Sequence, residues 1–232
     1  MSELYVLSDA KFTPLNTLFD SVKKLLESGV KFIQYRNKFS SFIKFNPQNS
    51  DFSQSFLQDN KFSQVLNDEQ KNELEILRKI AQICTKFKAK FIINDNPFLA
   101  QICNAHGVHI GKDDGDFLNA RKFLGNEKII GVSCYDDLNL ALKYQDLGAD
   151  YVAFGAVFPS KTKPNASCCQ ISTIKKAKEL INTKIAVIGG INASNLNQIS
   201  SLNVDYIAIV SAAYEPYSIT QNISNLHQIL RK

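Results

Sequence analysis

Three features of the 232-residue chain predict a (β/α)8 TIM barrel. Eight short apolar runs rich in Val, Ile and Phe recur along it, stretches with helical spacing lie between them, and each run ends on a small, amide or charged residue. Near-continuous apolar strands separated by amphipathic helices indicate a parallel sheet covered on its outer face. Eight such units fit a barrel that typically takes about 250 residues. The rival, an open doubly wound sheet, carries a Gly-rich turn after its first strand. Here that strand runs into SDAKFTPLN, which has no glycine.

The elements follow in order. LYVLSD (Leu4 to Asp9) is the first strand, and the spacing of Leu18, Val22, Leu25 and Leu26 predicts a helix behind it. KFIQYR (Lys31 to Arg36) is the second strand, with Gln34, Arg36 and Lys38 at its edge. From Phe39 to about Glu73 the alternation breaks: the segment is rich in Ser, Asn and Gln and dotted with Phe39, Phe42, Phe45, Phe52, Phe56 and Phe62. Structureless loops beyond about 12 to 15 residues are uncommon, and six phenylalanines are many for a disordered one. Two readings stand, a partly ordered flap or subunit contact on the rim and a tolerated surface insertion.

Leu74, Leu77, Ile80, Ala81 and Cys84 then mark a second helix, leading to KFIIND (Lys90 to Asp95), which ends on Asn94 and Asp95. GVHIGKDD (Gly107 to Asp114) ends on Asp113 and Asp114, and KIIGVS (Lys128 to Ser133) on Ser133. ADYVAFG (Ala149 to Gly155) feeds a loop holding Ser160, Lys161, Thr162 and Lys163. IAVIGG (Ile185 to Gly190) closes on Gly189 and Gly190, and DYIAIVS (Asp205 to Ser211) on Val210 and Ser211, with Ser211-Ala212-Ala213 expected to start the final helix.

A hydrophobic content of 44% over this length supports one core, so residues 1–232 read as a single domain with an insertion at about 39–73. The longest apolar stretches are strand-length and the chain opens directly into a strand, so neither a membrane span nor a signal peptide is expected, and the cytoplasm is the expected location. Five cysteines without CxxC or Cys/His spacing read as free thiols rather than a disulfide framework or a zinc site. The net charge of +5 is spread along the chain, which argues against a nucleic-acid partner and suits anionic small molecules. Self-association into a homo-oligomer is left open.

In barrels of this kind the reacting groups sit at the C-terminal strand ends. Arg36 can grip phosphate oxygens bidentately, and Lys38 and Lys163 add point charges. Asp95 and Asp114 would repel phosphate unless they hold a divalent cation, for which Mg2+ is the natural choice, since it needs only one or two carboxylates plus phosphate oxygens. One such carboxylate alone reads rather as a solvated rim residue or a helix N-cap; the pair together with Arg36 and Lys163 reverses that preference and points to a metal-bound pyrophosphate. Glycines and backbone N–H groups after strands seven and eight suit a second ligand's monophosphate. His109, inside a strand, reads as a hydrogen-bonded core residue, His106 as a turn residue and His227 as part of the final helix, so no Ser/His/Asp triad is assembled.

These motifs resemble those of the thiamine-phosphate synthase family across nearly the whole chain: LYVLSD, QYRNK, IIND, GVHIGKDD, IIGVS, GADYVAFGAVFPSKTKP, AVIGGIN and DYIAIVSA. The resemblance implies a (β/α)8 barrel that joins an aminopyrimidine-methyl diphosphate to thiazole phosphate, releasing pyrophosphate. Carried over by motif, Gln34, Arg36, Lys38, Asn94, Ser133 and Lys163 would contact the pyrimidine diphosphate, with Arg36, Lys38, Lys163 and Ser133 in catalytic roles. Asp95 and Asp114 would hold Mg2+, and Ser160, Thr162, Gly190, Val210 and Ser211 would cradle the thiazole phosphate. The chain departs from the pattern at Asn37, where glutamate is usual, at Ser160, where threonine is usual, and at Gln170, near an expected glycine. A TenI-like tautomerase or regulatory relative shares the barrel but uses a histidine where this chain has Tyr135. A non-catalytic binder of phosphate ligands is the reading from another class.

Overall fold

The computed structural model describes residues 2–42, 62–111, 117–159 and 168–231. Eight strands, β1 (Glu3–Leu7), β2 (Phe32–Tyr35), β3 (Lys90–Asn94), β4 (Gly107–Ile110), β5 (Ile129–Tyr135), β6 (Tyr151–Gly155), β7 (Lys184–Ile188) and β8 (Tyr206–Ile209), close into a barrel in sequence order. Every pairing is parallel, including β1 with β8. All eight strands expected from the apolar runs are present, and the sheet is the closed one rather than the open rival.

The described helices are α1 (Leu15–Glu27), α2 (Phe62–Val65), α3 (Asp68–Lys86), α4 (Pro97–Ile102), α5 (Phe117–Leu124), α6 (Leu138–Asp146), α7 (Ile171–Leu180), α8 (Leu196–Ser200), α9 (Ser211–Tyr214) and α10 (Ile219–Leu230). In α1 the residues that bury are Leu18, Val22, Leu25 and Leu26, the set whose spacing predicts the helix. They join outward-facing strand residues such as Val6, Ile33 and Ile93 in the main core between sheet and helices. Strand alternation sends the other residues inward. Tyr5, Leu7, Phe32, Ile92, Tyr151, Ala153, Ala186, Tyr206 and Ala208 form a separate interior cluster.

Aromatic rings fill the lower interior. Phe32 and Tyr206, first residues of their strands, stack at 4.5 Å, and Tyr5 meets Phe32 edge-on at 4.5 Å; such pairs contribute about 0.5–1.5 kcal/mol each beyond their buried area. The Tyr151 ring crosses over Gly131, where a Cβ would lie 1.9 Å from its Cζ. Only glycine leaves room for that ring. The N-terminal end of the barrel is thereby filled with rings, and polar side chains occupy the layer above.

Two expectations are corrected. The helix marked by Leu74 and its successors starts at Asp68, because Asn67 accepts from the Gln70 backbone N–H at 2.9 Å while Gln70 Oε1 accepts from the Asn67 N–H at 3.1 Å. This reciprocal cap satisfies two otherwise orphaned donors, so the irregular segment does not extend to Glu73; residues 43–61 of the expected insertion lie outside the described residues. Ser211-Ala212-Ala213 starts the one-turn α9, not the final helix, which begins at Ile219 under a Ser218 cap.

Candidate active site

The tips of β1, β2 and β3 build one wall of the C-terminal mouth. Ser8 fastens the first two: its hydroxyl accepts from the Arg36 backbone N–H at 2.8 Å, while its own N–H donates to the Gln34 carbonyl at 2.8 Å. Arg36 is half-buried, and its guanidinium approaches Asp9 Oδ2 at 3.4 Å. One carboxylate therefore shares the cation, and Asp9 belongs to the wall although the strand-tip reading passed over it. Lys38, two residues on, is exposed.

Glu73 holds the turn that follows. Its carboxylate is 2% exposed and accepts from Tyr35 Oη at 2.8 Å, Ser40 Oγ at 2.6 Å, the Ser41 N–H at 2.9 Å and Ser41 Oγ at 2.7 Å. Asn37 Nδ2 donates to Tyr35 Oη at 3.0 Å. The residue that departs from the family run thus ties the turn to the same cluster. Burial first, and the Glu73 charge second, push the Tyr35 phenol well above its usual range.

Arg36 after β2 and Asn94 on β3 each directly follow one of the paired residues Tyr35 and Ile93, so the Arg36 and Asn94–Asp95 tips stand on adjacent strands. Asp95 takes a left-handed φ of +62° and donates its N–H to the His109 carbonyl at 2.8 Å. Asn94 Nδ2 donates to Asp95 Oδ2. Asn96 then caps α4 by accepting from the Leu99 N–H at 2.8 Å. The backbone reversal at Asp95 turns its carboxylate away from the ordinary strand alternation, and only a short polar side chain takes this conformation readily.

Inside the mouth, Gln34 is 2% exposed, yet its Oε1 has no partner among the described residues. Its Nε2 donates to Tyr5 Oη at 2.5 Å. Ser133 Oγ lies 2.8 Å from His109 Nε2, and His109 Nδ1 lies 2.9 Å from Tyr151 Oη. His109 is the buried, hydrogen-bonded strand histidine its position suggested, but one of its partners is a site residue. Tyr5, Tyr151 and the His109 link escape a reading confined to strand tips. Their signal was available in the two-residue alternation, which sends Tyr5, Gln34, His109, Ser133 and Tyr151 all inward.

The opposite wall is β7 and β8. Gly189 and Gly190 have φ of +111° and +65°. A Cβ on Gly190 would fall 2.5 Å from the Pro159 carbonyl oxygen, so the loop after β6 lies directly on this glycine. That loop stays fastened through Val157 N to Ile188 O at 3.0 Å and Phe158 N to Gly189 O at 3.1 Å. Val210 is half-buried and Ser211 exposed. Ser160, Thr162 and Lys163, like Asp114 beyond β4, lie outside the described residues.

Burial pushes the thiols of Cys84, Cys103 and Cys134 up to about 12, which removes them as nucleophiles near neutral pH. All five cysteines are free, as the spacing suggested. Among the described residues there is no group of three His, Cys, Asp or Glu able to hold a metal by protein ligands alone. No helix of the described residues is long and apolar enough to cross a membrane.

The family model described as thiamine monophosphate synthase matches residues 4–213, from the first strand through α9. The chain belongs to the thiamine monophosphate synthase family. It is accordingly an enzyme, of the transferase class. A thiamine-phosphate synthase of Nitrosococcus oceani is 34% identical over 93% of this chain and 87% of its own length. One from Picrophilus torridus is 33% identical over 100% of this chain and 98% of its own. In structure the chain resembles a thiamine phosphate pyrophosphorylase from Pyrococcus furiosus, with a TM-score of 0.75 and 27% identity over 99% of this chain and 95% of that one. The synthase-family match spans all eight strands, so every wall of the mouth falls within it.

Proposed function

We propose that the chain transfers an aminopyrimidine-methyl group from its diphosphate to the ring nitrogen of thiazole phosphate, giving thiamine phosphate and pyrophosphate. The single observation that carries the reading is the β2–β3 wall, where a guanidinium, an amide and a carboxylate follow adjacent paired strand residues above a buried amide whose oxygen has no partner among the described residues. That is one end for a diphosphate and one for a polar ring. Mg2+ suits this wall: the donor available at Asp95 is a hard carboxylate oxygen, and an ion arriving on a diphosphate needs few protein ligands. Asp95 and Asp114 would hold it, and it would neutralise charge on the leaving diphosphate.

The carbon–oxygen bond to the diphosphate breaks with its electron pair leaving on pyrophosphate, and the thiazole nitrogen lone pair forms the new carbon–nitrogen bond. No strong base is required. Arg36, Lys38 and Lys163 oppose the negative charge that grows on the leaving group. Gln34, Asn94 and Ser133 orient the pyrimidine diphosphate, while Ser160, Thr162, Gly190, Val210 and Ser211 hold the thiazole phosphate at the facing wall. Seating two ligands side by side supplies several kcal/mol, roughly, of orientation. Five free thiols fit a reducing compartment, so we assign the enzyme to the cytoplasm.

The test is to mix the protein with both substrates and Mg2+ and measure pyrophosphate. Release that needs both substrates and the metal supports the reading. Binding without release would move the assignment to a TenI-like relative or a phosphate-ligand binder.

A further inference from the structure

A chain of four hydrogen bonds crosses the barrel interior and joins two side chains 99 positions apart in sequence, Gln34 and Ser133. It runs from Gln34 Nε2 to Tyr5 Oη at 2.5 Å, on to Tyr151 Oη at 2.9 Å, to His109 Nδ1 at 2.9 Å, and from His109 Nε2 to Ser133 Oγ at 2.8 Å. Both phenols are buried. Each link takes one proton, and each hydroxyl or neutral imidazole has one to give.

With Gln34 Nε2 placed as the donor to Tyr5, that count gives the sense of the whole chain. Gln34 donates to the Tyr5 oxygen, so the Tyr5 proton goes to Tyr151 and the Tyr151 proton to His109 Nδ1. The imidazole proton then sits on Nε2 and goes to Ser133. The Ser133 hydroxyl proton is left over as a donor on a half-buried side chain. At the far end Gln34 Oε1 is left over as an acceptor, which is the buried oxygen found without a partner among the described residues. Turning the Gln34 amide over would reverse every link and exchange both ends together.

Building on the proposed function, we infer that Tyr5 and Tyr151 are positioning residues that couple Gln34 and Ser133 into one recognition set, an acceptor at Gln34 and a donor at Ser133. The set matches a 4-aminopyrimidine, whose amine donates and whose ring nitrogen accepts. A 4-oxopyrimidine inverts both groups, with a carbonyl that accepts and a ring N–H that donates. The phenol pair therefore determines amine-against-oxo specificity without touching substrate. A site that leaves buried polar groups unpaired rejects a ligand strongly. Burial also holds both phenols in their protonated form.

The experiment measures Kd for the amino- and oxo-pyrimidine methyl diphosphates, without the second substrate, in the native enzyme and in Tyr151→Phe and Tyr5→Phe. Thermal melting verifies that each variant folds. The native enzyme should favour the amine roughly a thousand-fold or more, and either variant should bring the ratio to within roughly ten-fold while affinity for pyrophosphate alone stays unchanged. With only three histidines in the chain, 15N NMR reads the second signature, His109 protonated on Nε2 in the native enzyme. An amine preference retained in both variants, or a His109 proton on Nδ1, overturns the coupling while leaving the synthase reading intact. If the native enzyme binds neither diphosphate, both fall; if it binds both equally but releases pyrophosphate on addition of thiazole phosphate, only the coupling does.

Discussion

Replacing Glu73 by alanine should both destabilise the protein and loosen the site. Its carboxylate accepts four hydrogen bonds while 2% exposed. Bonds to a charged group are each worth about 1.5–3 kcal/mol net, and the cost of burying the carboxylate offsets a large part. A net loss on the order of 3 kcal/mol remains, since Tyr35 Oη and the Ser41 N–H are left without this acceptor. For a chain of this length that lowers Tm by roughly 6–12 °C. Glu73→Gln should fall between, because it keeps one acceptor oxygen but turns an NH2 group toward donors. The turn from Asn37 to Phe42 leaves directly from Arg36, so KM for the pyrimidine diphosphate should rise several-fold while kcat changes less. Denaturant unfolding and steady-state kinetics measure both. An alanine variant within about 0.5 kcal/mol of native stability would falsify the clamp.

Asp95→Asn keeps a residue that tolerates the left-handed φ of +62° but removes the charge; it should abolish Mg2+-dependent turnover with an unchanged melting temperature, and full activity would count decisively against Asp95 as a metal ligand. Gly131→Ala places a methyl on the Tyr151 ring and should cost about 1–3 kcal/mol or more by overpacking, read as a lower denaturation midpoint; unaltered stability would show that the ring has room to move. His106 gives a pH dependence. Its Nδ1 accepts from the Phe91 N–H at 3.1 Å, and burial, then Lys90 and Lys128, lower its pKa from 6.5 to about 4. The unfolded chain binds this proton more readily than the folded one, so its contribution is complete above about 6.5 and is lost as pH falls toward about 4. Because the ring is partly exposed, we expect on the order of 1 kcal/mol after screening. Denaturant unfolding of His106→Gln at pH 7 and 4.5 should show a correspondingly smaller acid loss; an identical loss in both proteins would remove His106 as its source.

The sequence by itself determined the barrel, because a strand buried on both faces has to be a continuous apolar run and a covering helix has to be apolar on one side. Those patterns are local and survive without coordinates. Local patterning also showed which tips carry charge, since Arg36, Asn94 and Asp95 directly follow or end such runs. What it could not show is which inward residues of distant strands touch. Gln34, Tyr5, Tyr151, His109 and Ser133 lie on five different strands and meet only when closure turns them toward one axis. Likewise Asp9 reached Arg36, and Glu73 the turn at Ser40 and Ser41, only through packing of segments far apart in the chain. Alternation sets the side a residue faces; barrel closure sets its partner, and with it the side on which each donor and acceptor is left free for a ligand.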